Sequence, residues 1–411
     1  MTQKYLGTTA MICFIAFMNM FIPLSTDLYL PAMPEMGNYF HEGSMLVGMT
    51  LTVFFLMFAV SIVFFGPVSD KYGRRNILIG STILYIIASV ICAAAGNIYV
   101  LILGRVLQAV GAGAIITVAT ALIKECFDGK VMARILAVTQ ALGVIAPMVA
   151  PLIGGFLLTF TSWRGSFVLL AILGTVNLVL AFLLTETLPP EERYNGSILQ
   201  SFSLLANLLK YKRFIRLLLM FSLLAAPYMA YLAMSSFIYV NYFGLTAQEY
   251  SYFFAANSAA AILGPVMYLW LKRHFANRQL IIITFIVSGM SSVLLLTLGS
   301  TAAFAFLLSF LPFTVIESIA RPLSMEILLG EVEKNVGTAS AMINFFHTFL
   351  GSIGMALGTL PWPDFINGLG IIMLAAVILG VIVWLFVPAA AGKQSRRMKY
   401  TINKNIDKVE K

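Results

Sequence analysis

The chain is 411 residues long, 60% hydrophobic and 10% charged, with 26 Lys and Arg against 17 Asp and Glu. A soluble domain carries roughly 25% charged residues, so this chain lacks the polar groups to cover a water-facing surface. Its net charge of +9 is spread over many short segments rather than one patch, which sets nucleic acid aside as a partner.

The apolar residues come in long blocks, 6–30, 45–68, 77–95, 100–123 and 168–184 among them, each near the roughly 20 residues a helix needs to cross hydrocarbon. Alternating strand patterns are absent, which excludes a β-barrel. The expected spans are 6–32, 44–68, 76–96, 98–124, 133–160, 166–185, 214–240, 248–271, 279–299, 301–326, 335–359 and 366–388. The first run is too long for a cleavable signal peptide, and no processing site follows it. Lys and Arg gather in the even-numbered connections and at both ends: Lys71, Arg74 and Arg75; Lys124, Lys130 and Arg134; Lys210 to Arg216; Lys393 to Lys411. Arg105 and Arg164 lie apart. The positive-inside rule therefore places both termini in the cytoplasm, and the basic tail can meet anionic membrane lipid.

The first span carries Asn19, Pro23, Asp27 and Pro31, four apart and so on one helix face. Pro31 cannot donate the hydrogen bond that the Asp27 carbonyl would accept. A locally unwound, polar patch with one carboxyl is expected there. An intramembrane acid is a functional candidate by default; the alternative is a permanently paired structural acid.

Between the second and third spans runs Gly66-Pro67-Val68-Ser69-Asp70-Lys71-Tyr72-Gly73-Arg74-Arg75, a tight turn whose charges can pair with neighbouring helices. The fourth span holds Arg105 deep in apolar sequence, with Gln108 beside it on the next turn. Arg105 is either functional or bonded structurally to backbone carbonyls. Small residues at Ala109, Gly113, Thr117 and Ala121 suit close helix contact. Glu125 closes that span. The fifth reads Gly143, Pro147, Pro151, Gly154 and Gly155, with two prolines that bend the helix and glycines that permit close packing.

The stretch 187–213, with Pro189, Pro190, Asn195, Gly196 and Ser197, reads as a linker. It separates an N-terminal bundle (1–186) from a C-terminal one (214–390), followed by the tail 391–411. Gly66-Pro67-Val68 recurs as Gly264-Pro265-Val266, and Arg74-Arg75 as Lys272-Arg273, both at an offset of 198. Asp70 falls opposite Tyr268, so the second copy has lost its acid. The fold class expected is an all-α polytopic membrane protein of twelve helices in two pseudo-symmetric six-helix bundles facing a central cavity.

In the tenth span Glu317 and Arg321 are four apart, in the favourable Glu-first order. They form a structural pair, a second proton site or contacts to a charged substrate. Asn344 and His347 in the eleventh span are further candidates, although a lone His is more often simply hydrogen-bonded. Cys13, Cys92 and Cys126 show no disulfide framework and no zinc spacing. The three His residues lack metal-ligand or catalytic spacing, and no phosphate loop is present. Neither a cofactor nor an enzymatic activity is expected.

The 66–75 loop resembles the signature of the major facilitator superfamily, and the Arg105 stretch resembles its fourth-helix pattern, where the Arg is associated with proton coupling. The fifth span is similar to the superfamily's antiporter motif, with Ala150 in place of a glycine. Pro23 to Pro34, Ser162-Trp163-Arg164, Glu186-Thr187-Leu188-Pro189, Ser235 to Thr246 and Phe254 to Asn257 look like the Bcr/CflA-type drug exporters. Gly337 to Ala341 is a weaker echo.

That resemblance implies a proton-coupled antiporter of the bacterial inner membrane whose partners are protons and small, mostly apolar drugs or metabolites; a monomer is expected because two bundles already enclose a cavity without a partner. Asp27 would carry the proton and Arg105 and Gln108 would tune it. Tyr29, Tyr228, Tyr231, Phe237 and Tyr239 would line the pocket, and Asp70, Arg74 and Glu125, with Gly66 and Gly73, would form a conformational latch. The alternative is a proton-coupled symporter or facilitator for a specific metabolite.

Overall fold

The computed structural model describes residues 5–194, 208–209, 211–332 and 336–387; the basic tail and most of the linker lie outside them. Every regular element among the described residues is helical. Eleven passages are long and apolar enough to cross a membrane: Thr8–Phe40, Ser44–Tyr72, Arg74–Ala94, Ile98–Cys126, Arg164–Leu183, Lys212–Tyr242, Ala247–His274, Asn277–Leu298, Ala303–Leu329, Gly337–Gly358 and Phe365–Leu385. Gly129–Leu157, helical for 29 residues with the apolar stretch Ile145–Leu157, is the twelfth and stands fifth in order.

Several helices outrun the expected spans. The first continues to Phe40 and the second to Tyr72. Hydropathy marks only the part inside hydrocarbon, whereas a helix that stopped there would leave its last four carbonyls unpaired.

Among the described residues three passages are broken where proline removes a donor. The first runs as Thr8–Asn19 and Phe21–Asp27, then a tight turn at Leu30–Ala32, then Met33–Phe40. The second piece ends at Asp27 because Pro31 offers its carbonyl no N–H. The seventh runs as Lys212–Leu223 and Ala225–Ser236 and ends in a widened π turn at Phe237–Tyr242. Pro227 deprives the Leu223 carbonyl in the same way. In the eighth, Ala247–Ala261 gives way to Leu263–His274 at Ile262, and Pro265 offers the Ala261 carbonyl no N–H.

The repeat in the sequence reappears as a repeated packing order. The second and third helices pack on the fourth, the third on the sixth and the first on the fifth. Six helices later, the eighth and ninth pack on the tenth, the ninth on the twelfth and the seventh on the eleventh. Small residues make these approaches possible. A Cβ on Gly113 would stand 2.6 Å from Ser61, one on Gly111 would stand 2.8 Å from the Ser81 carbonyl, and Gly264 abuts Ser318.

By contacts the chain forms two compact units. One comprises Met1–Asn195, Leu232–Ala259 and Thr359–Pro361; the other comprises Gly196–Tyr231, Ala260–Gly358 and Trp362–Lys411.

Candidate functional site

In the first unit, Asp27 sits at the break in the first helix, with 5% of its surface exposed. It accepts one hydrogen bond, from the Thr26 hydroxyl at 2.9 Å. Among the described residues no ion pair reaches it. Nearby, Ser25 shares a 2.5 Å bond with the Tyr85 hydroxyl.

Arg105 is fully buried in the same unit. Its Nε donates to the Thr50 carbonyl at 3.3 Å and its Nη1 to Gln108 Oε1 at 2.5 Å, while Gln108 passes a bond on to Ser89 at 2.8 Å. Nη2 has no hydrogen-bond partner among the described residues. The guanidinium lies over three aromatic faces instead, 4.2 Å from the Phe54 centroid, 4.7 Å from Tyr29 and 5.8 Å from Phe167. A desolvated cation gains about 2 kcal/mol from such faces. Tyr29 also shares a hydrogen bond with Thr50 at 3.1 Å. The expectation is that Arg105 and Gln108 tune Asp27. Arg105 contacts Tyr29 and Thr50, Gln108 bonds to Arg105 and Ser89, and among the described residues neither makes a hydrogen bond to the carboxyl. Asn19 bonds back to the Ile15 carbonyl at 2.8 Å.

The fifth helix meets the break in the first. A Cβ on Gly154 would collide with the Leu28 carbonyl, and one on Gly155 with Ser251. Pro151 is buried and Pro147 partly so. Gly143 has nothing within 4 Å of where a Cβ would stand, so it serves no close approach; the glycines that do are the two at the helix end.

The loop charges form one cluster inside the first unit. Arg74 Nη2 pairs with Asp70 at 2.6 Å and with Glu125 at 2.8 Å, and Nη1 donates to Ser69 at 2.6 Å. Two residues outside the expected set complete it. The Glu186 carboxylate accepts from the backbone N–H of Arg74 at 2.9 Å and of Arg75 at 3.2 Å, capping the third helix with a negative charge at its positive end. Thr187 donates to Glu125 at 2.5 Å. Gly73 holds φ at 91°, and a Cβ there would stand 2.5 Å from Glu186. Glu186-Thr187 drew attention in the sequence only as part of a family-like string, because a cap from 112 residues away leaves no local spacing to read. Gly66 has open space around it.

The second unit has its own version. Lys272 pairs with Glu326 at 2.5 Å, and Tyr268, standing where the first copy has Asp70, donates its hydroxyl to the same carboxylate. The lost acid is thus replaced by a donor that serves the acid of the tenth helix.

Also in the second unit, Glu317, Arg321 and His347 converge. Glu317 Oε1 lies 3.7 Å from Arg321 Nε and 3.3 Å from His347 Nε2, and those two nitrogens are 3.1 Å apart. Glu317 is buried, whereas half of the Arg321 side chain is exposed. Asn344 bonds to its own helix at Ser340 and faces outward. The aromatic candidates divide. Tyr231 stacks on Phe310 at 4.3 Å in the second unit. Tyr239 stacks on Phe253 at 4.9 Å in the first, and Phe237 is buried beside it in the chain. Tyr228 is partly buried.

Among the described residues, eleven helices of membrane-crossing length and a twelfth with a shorter apolar stretch, in a repeated packing order and with Asp27, Arg105 and Glu317 buried among them, define a multi-pass membrane protein. The chain belongs to the Major Facilitator Superfamily, whose model matches residues 12–355; its members are transporters of small molecules and not enzymes. It is 29% identical to an uncharacterized MFS-type transporter, YdgK, of Bacillus subtilis (strain 168), covering 90% of each chain. It is 25% identical to the multidrug resistance protein MdtL of Shigella dysenteriae serotype 1, over 93% of this chain and 98% of that one. A D-xylose–proton symporter structure superposes with a TM-score of 0.72 at 15% identity, over 92% of this chain and 97% of that one. A bacterial homologue of the lysosomal transporter Spinster, inward-facing and occupied, gives 0.74 at 14%, over 98% and 99%. These two establish the fold alone.

Proposed function

We propose that the protein is a proton-coupled antiporter that exports small, mostly apolar compounds across the bacterial cytoplasmic membrane by alternating access, with both termini inside. The observation that carries this reading is Asp27. It is a carboxyl buried at a proline-made helix break, held by the Thr26 hydroxyl and, among the described residues, by no counter-charge. A carboxylate without a partner in low dielectric is costly to keep ionised, so such a group takes a proton readily and gives it up when its surroundings become wet. The relatives named for multidrug resistance support a drug as cargo, and the close-packed glycines of the fifth helix support export over uptake.

Asp27 binds a proton while the cavity opens outward, and cargo binding from the cytoplasm favours its release. Arg105 acts as a positioning residue, holding Tyr29 and the second helix against the break. Inward proton movement drives the cycle, worth about 2.3 kcal/mol per 100 mV from the electrical part.

The test is drug-dependent dissipation of an imposed proton gradient in everted vesicles. Chloramphenicol-like compounds, quinolones and lipophilic cations serve as the panel. Wild type is expected to dissipate the gradient with at least one drug, and Asp27→Asn with none. Exchange of a drug by Asp27→Asn at the wild-type rate would remove Asp27 from coupling. Proton-driven uptake, rather than exchange, would favour a symporter.

A further inference from the structure

Resting on the proton-coupled reading, we propose that His347 is a second proton-binding site, in the C-terminal half, switched between Arg321 and Glu317. The argument is geometric. His347 Nε2 lies 3.1 Å from Arg321 Nε and 3.3 Å from Glu317 Oε1. Nε2 can accept a hydrogen bond or donate one, but not both. With Nε2 bare, the Arg321 Nε–H donates to it and the imidazole lone pair confronts the Glu317 carboxylate. A proton arriving from the cavity forms the Nε2–H bond. The Arg321 contact is then lost, and Nε2–H donates to Glu317 Oε1 instead. Only a proton moves, and the cluster goes from net neutral to +1.

The cluster is separate from other charges. Among the described residues the ion pairs of Glu317 are with Arg321 and His347. The remaining ion-paired cations of the neighbouring helices are engaged elsewhere, Arg213 with Glu331 and Lys272 with Glu326. Glu317 and His347 are shielded while half of the Arg321 side chain is exposed, so the guanidinium freed by protonation stands where an incoming group can reach it.

The experiment is nitrogen NMR of ring-labelled histidine in the full chain, reconstituted in lipid nanodiscs without any drug. His41→Gln and His274→Gln clear the background, and His347→Gln assigns the remaining signal. As the pH falls from about 8 to about 5, across the ordinary window of a histidine, Nε2 is expected to pass from a bare acceptor to a protonated donor. In Glu317→Gln the protonated-to-bare ratio at a fixed pH within that window is expected to fall by about tenfold, the effect of losing one adjacent opposite charge. In Arg321→Gln, which removes the competing donor, it is expected to rise. A nitrogen that keeps one form across the window, or a ratio that neither variant changes, overturns the proposal. Because the signal is read at rest, its failure is distinct from a failure of Asp27→Asn to abolish exchange.

Discussion

At the scale of single residues, buried polar groups decide most of the consequences. Arg105 is fully enclosed and depends on Gln108 and the Thr50 carbonyl for its hydrogen bonds. Gln108→Leu leaves the Arg105 Nη1 without its acceptor and takes from Ser89 the bond its hydroxyl accepts, while that hydroxyl still donates to the Tyr85 carbonyl. We expect it to lower stability by about 1–3 kcal/mol, read as a lower midpoint in thermal unfolding in detergent. Asn344 was a candidate of equal standing in the sequence, yet it bonds only to its own helix. Asn344→Ala should change stability by less than about 0.5 kcal/mol in the same assay.

At the scale of elements, the fifth helix shows how one motif divides into unequal parts. Gly154 touches the Leu28 carbonyl next to Asp27, while Gly143 has open space. Gly154→Val must push the first helix away from its break, so the proposed export should collapse even where the protein still reaches the membrane. Gly143→Ala should export as wild type does. Resistance of cells carrying each variant, normalised to membrane abundance, separates the two outcomes. The third helix gives a second case. Its first two N–H groups are satisfied by Glu186, and Glu186→Ala should cost about 0.5–2 kcal/mol, as the loss of a charged cap does.

For the whole molecule, the duplication is unequal. In the first unit Arg74 is nearly enclosed, with 9% of its side chain exposed, and it ties two acids together. Its counterpart Lys272 is 32% exposed and pairs with an acid that is 45% exposed. Arg74→Ala should therefore cost more than about 2 kcal/mol, since charged hydrogen bonds shielded from water are lost. Lys272→Ala should cost less than about 1 kcal/mol, as for a pair screened by solvent. Unfolding of the two variants in one detergent tests the difference; equal losses would mean that the two copies carry equal weight.

The sequence by itself determined the class of fold, because a helix across hydrocarbon must be a run of about 20 apolar residues and the run lengths are written in the chain. It also marked the break at Asp27, since Pro31 acts on a carbonyl only four residues away. The repeat at an offset of 198 announced the packing order later seen in both halves. What only the tertiary structure decided was pairing over distance. Arg105 turns to the Thr50 carbonyl rather than to Asp27, Glu186 caps a helix 112 residues back, and Tyr268 replaces an acid by serving another one. Each depends on which helix faces which, and many side chains of similar polarity fit such a position equally well in sequence. Local backbone rules act over four residues and are legible there; contacts between helices are set by packing, which the order of residues encodes only collectively.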